Sequence, residues 1–173
     1  MKIKSVKKSK LSNWVTLVTN SVEYENEIKE YHSFELHDYT SIIAINSDKK
    51  IILVEQFRPA VNKYTLELPG GIVEQDIGPK KTAAKELLEE TCHQVTGDIK
   101  LVGVMDVDYG RLKNKAFGFF TNNVNYLMNK KVEKGIRTFA FEVDECIQMI
   151  LNNKFIHSPH VSFLLLAKLK NLI

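Results

Sequence analysis

The stretch GGIVEQDIGPKKTAAKELLEETCH, residues 70–93, decides how the chain reads. Pro69 precedes it, and Pro69-Gly70-Gly71 predicts a tight turn or loop, because paired glycines beside a proline suit neither helix nor strand interior. Pro79 then fits the first position of a helix, where its fixed φ is right and no amide hydrogen is missed. The apolar spacing that follows predicts a helix over residues 79–91. Each helical residue advances about 100°, so with Glu86 at zero, Glu90 falls near about +40° and Glu89 near about −60°. The three glutamates therefore share one face, and Ala84, Leu87, Leu88 and Thr91 cover the other. Two readings follow. A solvated face would tolerate the repulsion between Glu86 and Glu90, a few tenths of a kcal/mol. Alternatively, side chains at these spacings converge on a hard divalent cation. Mg²⁺ takes oxygen ligands, binding one or two carboxylates plus substrate phosphates. The glycines just upstream favour the cation, since they bring backbone carbonyls and amides close to a ligand without interference from a Cβ.

The surrounding chain has ordinary globular composition. Its 173 residues, 44% apolar and 26% charged, suit one well-packed domain with room for a small appendage. The apolar run Phe163 to Ala167 is far too short to span a bilayer, and the basic start MKIKSVKKSK lacks the apolar core of a secretory signal. With only Cys92 and Cys146, neither a disulfide framework nor a zinc cluster is expected, and the usage suits a reducing cytoplasm. The net charge is +3, and five lysines sit in the first ten residues. These read as a frayed, solvated tail, because no nucleic-acid-binding motif accompanies them.

Before the glycines the chain reads as strands. Trp14 to Val18 and Tyr31 to Leu36 carry aromatic and β-branched residues, separated by acidic turn material at Glu23 to Glu27. Residues 41–46 and 50–55 read as a hairpin joined by Ser47-Asp48-Lys49. A boundary near His37-Asp38 would separate a small β unit, residues 1–38, from a main domain, residues 39–173. Later segments predict strands at Lys100 to Val107, Ala116 to Thr121 and Arg137 to Val143, then helices at Asp144 to Asn152 and Pro159 to Asn171. Strands first and helices interleaved later predict a mixed α/β (α+β) layered domain.

The segment from Gly71 to His93 resembles the Nudix box: Gly, five residues, Glu, seven residues, then Arg-Glu-apolar-any-Glu-Glu-any-Gly-apolar. Gly71, Glu86, Leu87, Glu89 and Glu90 set the register. Gln56-Phe57-Arg58, Leu66 to Gly71 and Ala83-Ala84 look like the ADP-ribose and nucleotide-sugar pyrophosphatase branch. Four positions depart: Ile77 replaces the first Glu, with Glu74 and Asp76 nearby; Lys85 replaces Arg; Cys92 replaces Gly; His93 replaces an apolar residue. Lysine lacks the planar fork of arginine, so weakened catalysis or an altered arrangement is expected. At Cys92 either the helix-ending turn differs or a left-handed residue is tolerated at a cost of roughly 1–2 kcal/mol. A catalytic thiol there would have only His93 as an activating neighbour.

The resemblance implies a Nudix-type α/β/α sandwich with a mixed sheet and an N-terminal β unit used for dimerisation. It implies Mg²⁺-dependent hydrolysis (Mn²⁺ serving as well) of the diphosphate in a compound such as ADP-ribose or a nucleotide sugar. Glu86, Glu90 and the Gly70 carbonyl would hold metal, and Glu89 would assist. Arg58 would meet phosphate or the terminal sugar, its alternative being a surface ion pair. Glu67 would lie near substrate or metal, its alternative being an ordinary outward strand residue. Glu133 is the carboxylate available as a base in the loop at residues 131–136, and Asp106 and Asp108 are a second source. His157 and His160 are expected at a helix start as caps or surface residues. A homodimer is implied, a membrane or nucleic-acid partner is not. Two alternatives stay open: a non-catalytic nucleotide-diphosphate binding module, and a Nudix enzyme acting on capped RNA or nucleoside triphosphates.

Overall fold

A computed structural model describes the whole chain, Met1–Ile173. The chain divides into two compact units, Met1–Asp38 with Met105–Ala116, and Tyr39–Val104 with Phe117–Ile173.

In the first unit, β1 (Lys2–Lys10), β2 (Thr16–Tyr24) and β3 (Glu27–Glu35) form an antiparallel sheet in that order. Glu25 and Asn26, with φ of 47° and 63°, make the two-residue turn that such a hairpin needs. The N-terminal lysines are therefore not a tail. They alternate with Ile3, Ser5, Val6 and Ser9 along a strand paired with β2, and Lys4–Glu23 and Lys8–Glu35 ion pairs form within the sheet. The Phe34 amide donates to the Arg111 carbonyl, and the Lys113 amide to that of Phe34, which ties residues 105–116 to β3.

The remaining strands are β4 (Tyr39–Ala44), β5 (Ile51–Arg58), β6 (Lys63–Glu67), β7 (Gly70–Ile72), β8 (His93–Val95), β9 (Lys100–Asp106), β10 (Lys115–Thr121), β11 (Val124–Tyr126) and β12 (Arg137–Phe141). The helices are α1 (Gly78–Thr91), α2 (Val143–Leu151) and α3 (Ser158–Leu169). The strands form sheets in the orders β7-β4-β10-β9, β12-β5-β6 and β11-β8.

Two expectations need correction. First, β4 and β5 are not a hairpin. They belong to different sheets and share only an isolated bridge between Ile45 and Ile51. Asn46 makes the corner between them, its side-chain oxygen accepting the Asp48 and Lys50 amides. Second, Gly70-Gly71 is not loop but strand. Ser41 pairs with Gly70 and Thr40 with Gly71 at the edge of the larger sheet. Glycine is required there by close approach, since a Cβ on Gly70 would lie 2.2 Å from the Thr40 carbonyl oxygen.

Side-chain alternation along the strands builds two apolar layers. Ile42 and Ala44 from β4, Ile52 from β5 and Phe119 from β10 pack with Ala83 and Leu87 of α1. Gly118 points the other way, and a Cβ on it would lie 2.3 Å from the Phe163 ring of α3. Helices α1 and α3 thus cover opposite faces of β10, giving a mixed α/β sandwich. Each fully buried side chain such as Leu87 or Phe163 contributes about 1.5–3 kcal/mol relative to leaving it exposed. No helix is long and apolar enough to cross a membrane.

Candidate functional site

Helix α1 enters through a small staple. The Thr82 hydroxyl donates to the Gly78 carbonyl and accepts the Glu74 amide. Ile77 stands at the N-cap with no side-chain hydrogen bond, and Pro79 lies in the first turn. At the far end Cys92 takes the left-handed conformation, φ 59°, and its amide reaches back to the Leu88 carbonyl. The turn expected of a glycine is kept, with a buried cysteine in its place. The His93 ring nitrogen Nδ1 lies 2.9 Å from the Thr91 carbonyl oxygen, so the imidazole is engaged by Thr91.

The buried stripe of α1 runs through Thr82, Ala83, Leu87, Glu90 and Thr91. Glu90 is therefore part of the packed side, and the expected uniform carboxylate face is really a gradient. Glu89 is exposed, Glu86 half-buried and Glu90 only 4% exposed. The Glu90 carboxylate accepts the Gly70 amide at 2.9 Å. Burial pushes its carboxyl up to about 8; the Gly70 hydrogen bond and the Arg58 charge oppose this, while Glu86 and Glu133 reinforce it. Burial likewise raises Glu86, helped by the charges of Glu89 and Glu133. The Glu133 amide donates to the Glu89 carbonyl at 3.0 Å, which pins the loop carboxylate beside the helix. None of Glu86, Glu89, Glu90 and Glu133 is ion-paired. Gly71 completes the arrangement: a Cβ there would come within 2.3 Å of Glu86 Oε1.

Lys85 pairs with Glu74 by an ion pair and a hydrogen bond that raises its pKa, with smaller help from the charges of Glu89 and Glu86. Glu74 thus supplies the acid that Ile77 lacks, three positions earlier in the chain.

Arg58 and Glu67 make a bidentate pair. Arg58 Nε donates to Glu67 Oε1 and its terminal nitrogen to Oε2, each at 2.7 Å, and the Thr65 hydroxyl adds a third bond at 2.6 Å. Burial alone would raise the Glu67 carboxyl, but the bonds from Arg58 and Thr65 outweigh it and hold it below its ordinary value. Glu67 is 3% exposed, so it is not an outward strand residue, and Arg58 is more than a surface pair. Asp106 and Asp108 are committed elsewhere, to Lys115 and Arg111 within the first unit.

His160 departs from expectation. It is fully buried, and its Nδ1 accepts the Leu68 amide at 3.1 Å. Neither it nor His157 caps α3 with a side-chain bond. Glu67, His157 and His160 bring potential ligand atoms within 4.8 Å of one another. A cation there would have to displace Arg58 from both Glu67 oxygens and meet the guanidinium charge. The α1 carboxylates are in no ion pair that a cation would have to break, Arg58 reaching Glu90 only through its charge, and their all-oxygen donor set suits a hard divalent ion. Thr65 and Thr138 (which donates to the Glu90 carbonyl), unnamed in the sequence reading, share one property with Glu74 and His160, whose roles differ from those expected. Each acts through a neighbour that only the fold supplies.

With this geometry in place, comparison with known proteins is informative. Residues 35–155 match the NUDIX domain, and the chain belongs to that family. It is 41% identical over 54 residues to the methanol dehydrogenase activator of Bacillus methanolicus, covering 31% of this chain and 29% of that protein. It is 39% identical over 51 residues to the ADP-ribose pyrophosphatase of Bacillus subtilis (strain 168), covering 30% and 28%. These matches span less than a third of either relative's length. A crystal structure of an ADP compounds hydrolase superposes with a TM-score of 0.81 at 15% identity, over 96% of this chain and 91% of that one. That likeness speaks for the fold.

Proposed function

We propose that the protein hydrolyses the diphosphate linkage of a nucleoside diphosphate derivative, of the ADP-ribose or nucleotide-sugar class, with a divalent cation, Mg²⁺ or Mn²⁺. The observation that carries this reading is Glu90: a buried carboxylate beside half-buried Glu86, with Glu133 close by and no ion pair to it, the Arg58 charge offsetting its burial only in part. Removing one like-charged neighbour would not relieve the burial, whereas a bound cation would. Glu86, Glu90 and the Gly70 carbonyl would hold it. Such an ion supplies charge neutralisation on the diphosphate and lowers the pKa of a bound water.

The chain's own groups do the rest. Arg58 keeps its guanidinium oriented by Glu67 before substrate arrives, which lowers the ordering cost of meeting a phosphate. Glu89 is exposed, and Glu133 is held beside it through the backbone. Either carboxylate would accept the proton of a water that attacks phosphorus, forming one P–O bond as the diphosphate P–O bond breaks and leaving two phosphate-bearing products. The match to the ADP-ribose pyrophosphatase supports the substrate class.

The test is turnover of a panel of ADP-ribose, nucleotide sugars, capped RNA and nucleoside triphosphates with Mg²⁺, alongside Glu90→Gln. Turnover of the first two classes, abolished in the variant, is expected. Binding without turnover by the wild type would make this a non-catalytic module. Turnover unchanged in Glu90→Gln would remove Glu90 from the metal site.

A further inference from the structure

Three consecutive residues leading into β7 are each tied to a different element. The Leu68 amide donates to His160 Nδ1 on α3, the Pro69 carbonyl accepts the Ile42 amide on β4, and the Gly70 amide donates to Glu90 on α1. The second and third ties are backbone-directed or belong to the carboxylate site itself. The first depends on a single side chain 92 positions away. That side chain is well fixed. The His160 ring stacks on Tyr39 at 5.6 Å, meets the His157 ring edge-on at 4.0 Å and tilts against Phe155 at 6.3 Å.

The Leu68 amide needs a lone pair on Nδ1, so the proton of the neutral ring must sit on Nε2. Burial drives the imidazole down to about 3, which keeps it neutral at any working pH. Nε2 is buried without a hydrogen-bond partner. A buried, unsatisfied donor is destabilising. A phenylalanine would fill the same aromatic niche without that cost, so packing alone does not account for a histidine. What the imidazole adds is one acceptor, aimed at one amide.

We propose that His160 is a positioning residue of the cation site, setting the Leu68–Gly70 segment so that Gly70 meets Glu90 and its carbonyl can serve as a ligand. This rests on the cation-site reading given above. Through the same segment His160 also fixes the end of β6, where Glu67 holds Arg58. Its effect on a cation is indirect, since the ring touches neither Glu86 nor Glu90 by any hydrogen bond.

The test compares His160→Asn, which retains a side-chain acceptor near the Nδ1 position, with His160→Phe, which retains the ring but no acceptor. Leu164→Ala is the control, since it loosens α3 packing and leaves the acceptor intact. Two readouts are used on the full chain: Mn²⁺ affinity from the electron paramagnetic resonance signal of the free ion, and amide hydrogen exchange at Leu68 and Gly70 without metal. His160→Phe is expected to weaken Mn²⁺ binding about tenfold, in the range typical of groups that orient metal ligands, and to speed both amides. His160→Asn should stay within about threefold of wild type, a change of well under 1 kcal/mol, and Leu164→Ala likewise. Wild-type affinity in His160→Phe, or equal weakening in His160→Asn or Leu164→Ala, would overturn the proposal. Failure of the wild type to bind Mn²⁺ would instead overturn the cation site, and this inference with it.

Discussion

The two most highly charged regions of the chain handle their charge in opposite ways. In the β1-β2-β3 sheet, lysines and glutamates face each other in exposed pairs, Lys4–Glu23, Lys8–Glu35 and Lys29–Glu27. On α1, Glu86, Glu89 and Glu90 gather with no ion pair to any of them, since Lys85 pairs with Glu74 instead, and Glu90 is buried. Exposed pairs of the first kind contribute about 0–1 kcal/mol each, and salt screens them. A buried, unpaired carboxylate is costly, and proteins rarely keep one without a use. Charge density alone therefore separates nothing. What distinguishes the two regions is whether the fold closes its carboxylates into ion pairs.

That contrast can be broken experimentally, beginning with the pair that combines both behaviours. Arg58→Met would leave the Glu67 carboxylate buried without its partner. Losing one member of a buried pair costs about 3–5 kcal/mol; because the Arg58 side chain is 42% exposed, about 2 kcal/mol is expected. Chemical denaturation would measure it, and a loss below half of that would place the pair with the surface bridges. Next is pH. Folding raises the Glu90 carboxyl from 4.5 to about 8, so the folded, metal-free protein holds a proton there that the unfolded chain releases. Its contribution to stability accordingly falls as pH rises from about 4.5 to about 8. A cation must displace that proton, so Mn²⁺ affinity should rise about tenfold per unit below pH 8. The same titration on Glu90→Gln should be nearly flat. Gly71→Ala comes third. Its Cβ would press on the Glu86 carboxylate, a movable group, so stability should change by about 1 kcal/mol or less while Mn²⁺ affinity falls several-fold. Smallest is Lys8→Ala, expected to cost under about 0.5 kcal/mol and to leave Mn²⁺ binding unchanged.

Much of this was legible in the amino-acid order because it is local. The α1 helix, its proline near the start, the glutamate spacing and the Leu66 to Gly71 segment lie within one short stretch, and local spacing is what a sequence displays. The departures at Ile77 and Lys85 looked like damage, yet Glu74 meets Lys85 once the loop before α1 closes over the helix. The environment of Glu90 was not legible. A helical wheel places it beside Glu86, but burial depends on what packs over the wheel, and here that is β7. The strand nature of Gly70-Gly71 was hidden for a related reason. Glycine there answers to the closeness of Thr40, which propensity cannot register. The N-terminal lysines misled in the opposite sense, because their strand is held by pairing with β2 and hardly by burial.

The corner at Asn46 has a consequence for how the chain reaches this arrangement. It brings Ile45 to Ile51 across a handful of residues, whereas the tie from Leu68 to His160 closes a loop of 92. Short loops close with little entropic cost and early in time, long ones late. Asn46→Ala is therefore expected to slow refolding, and His160→Phe to act chiefly by speeding unfolding. Stopped-flow traces on the two variants would show it, and they would date the proposed cation site as among the last features of the molecule to form.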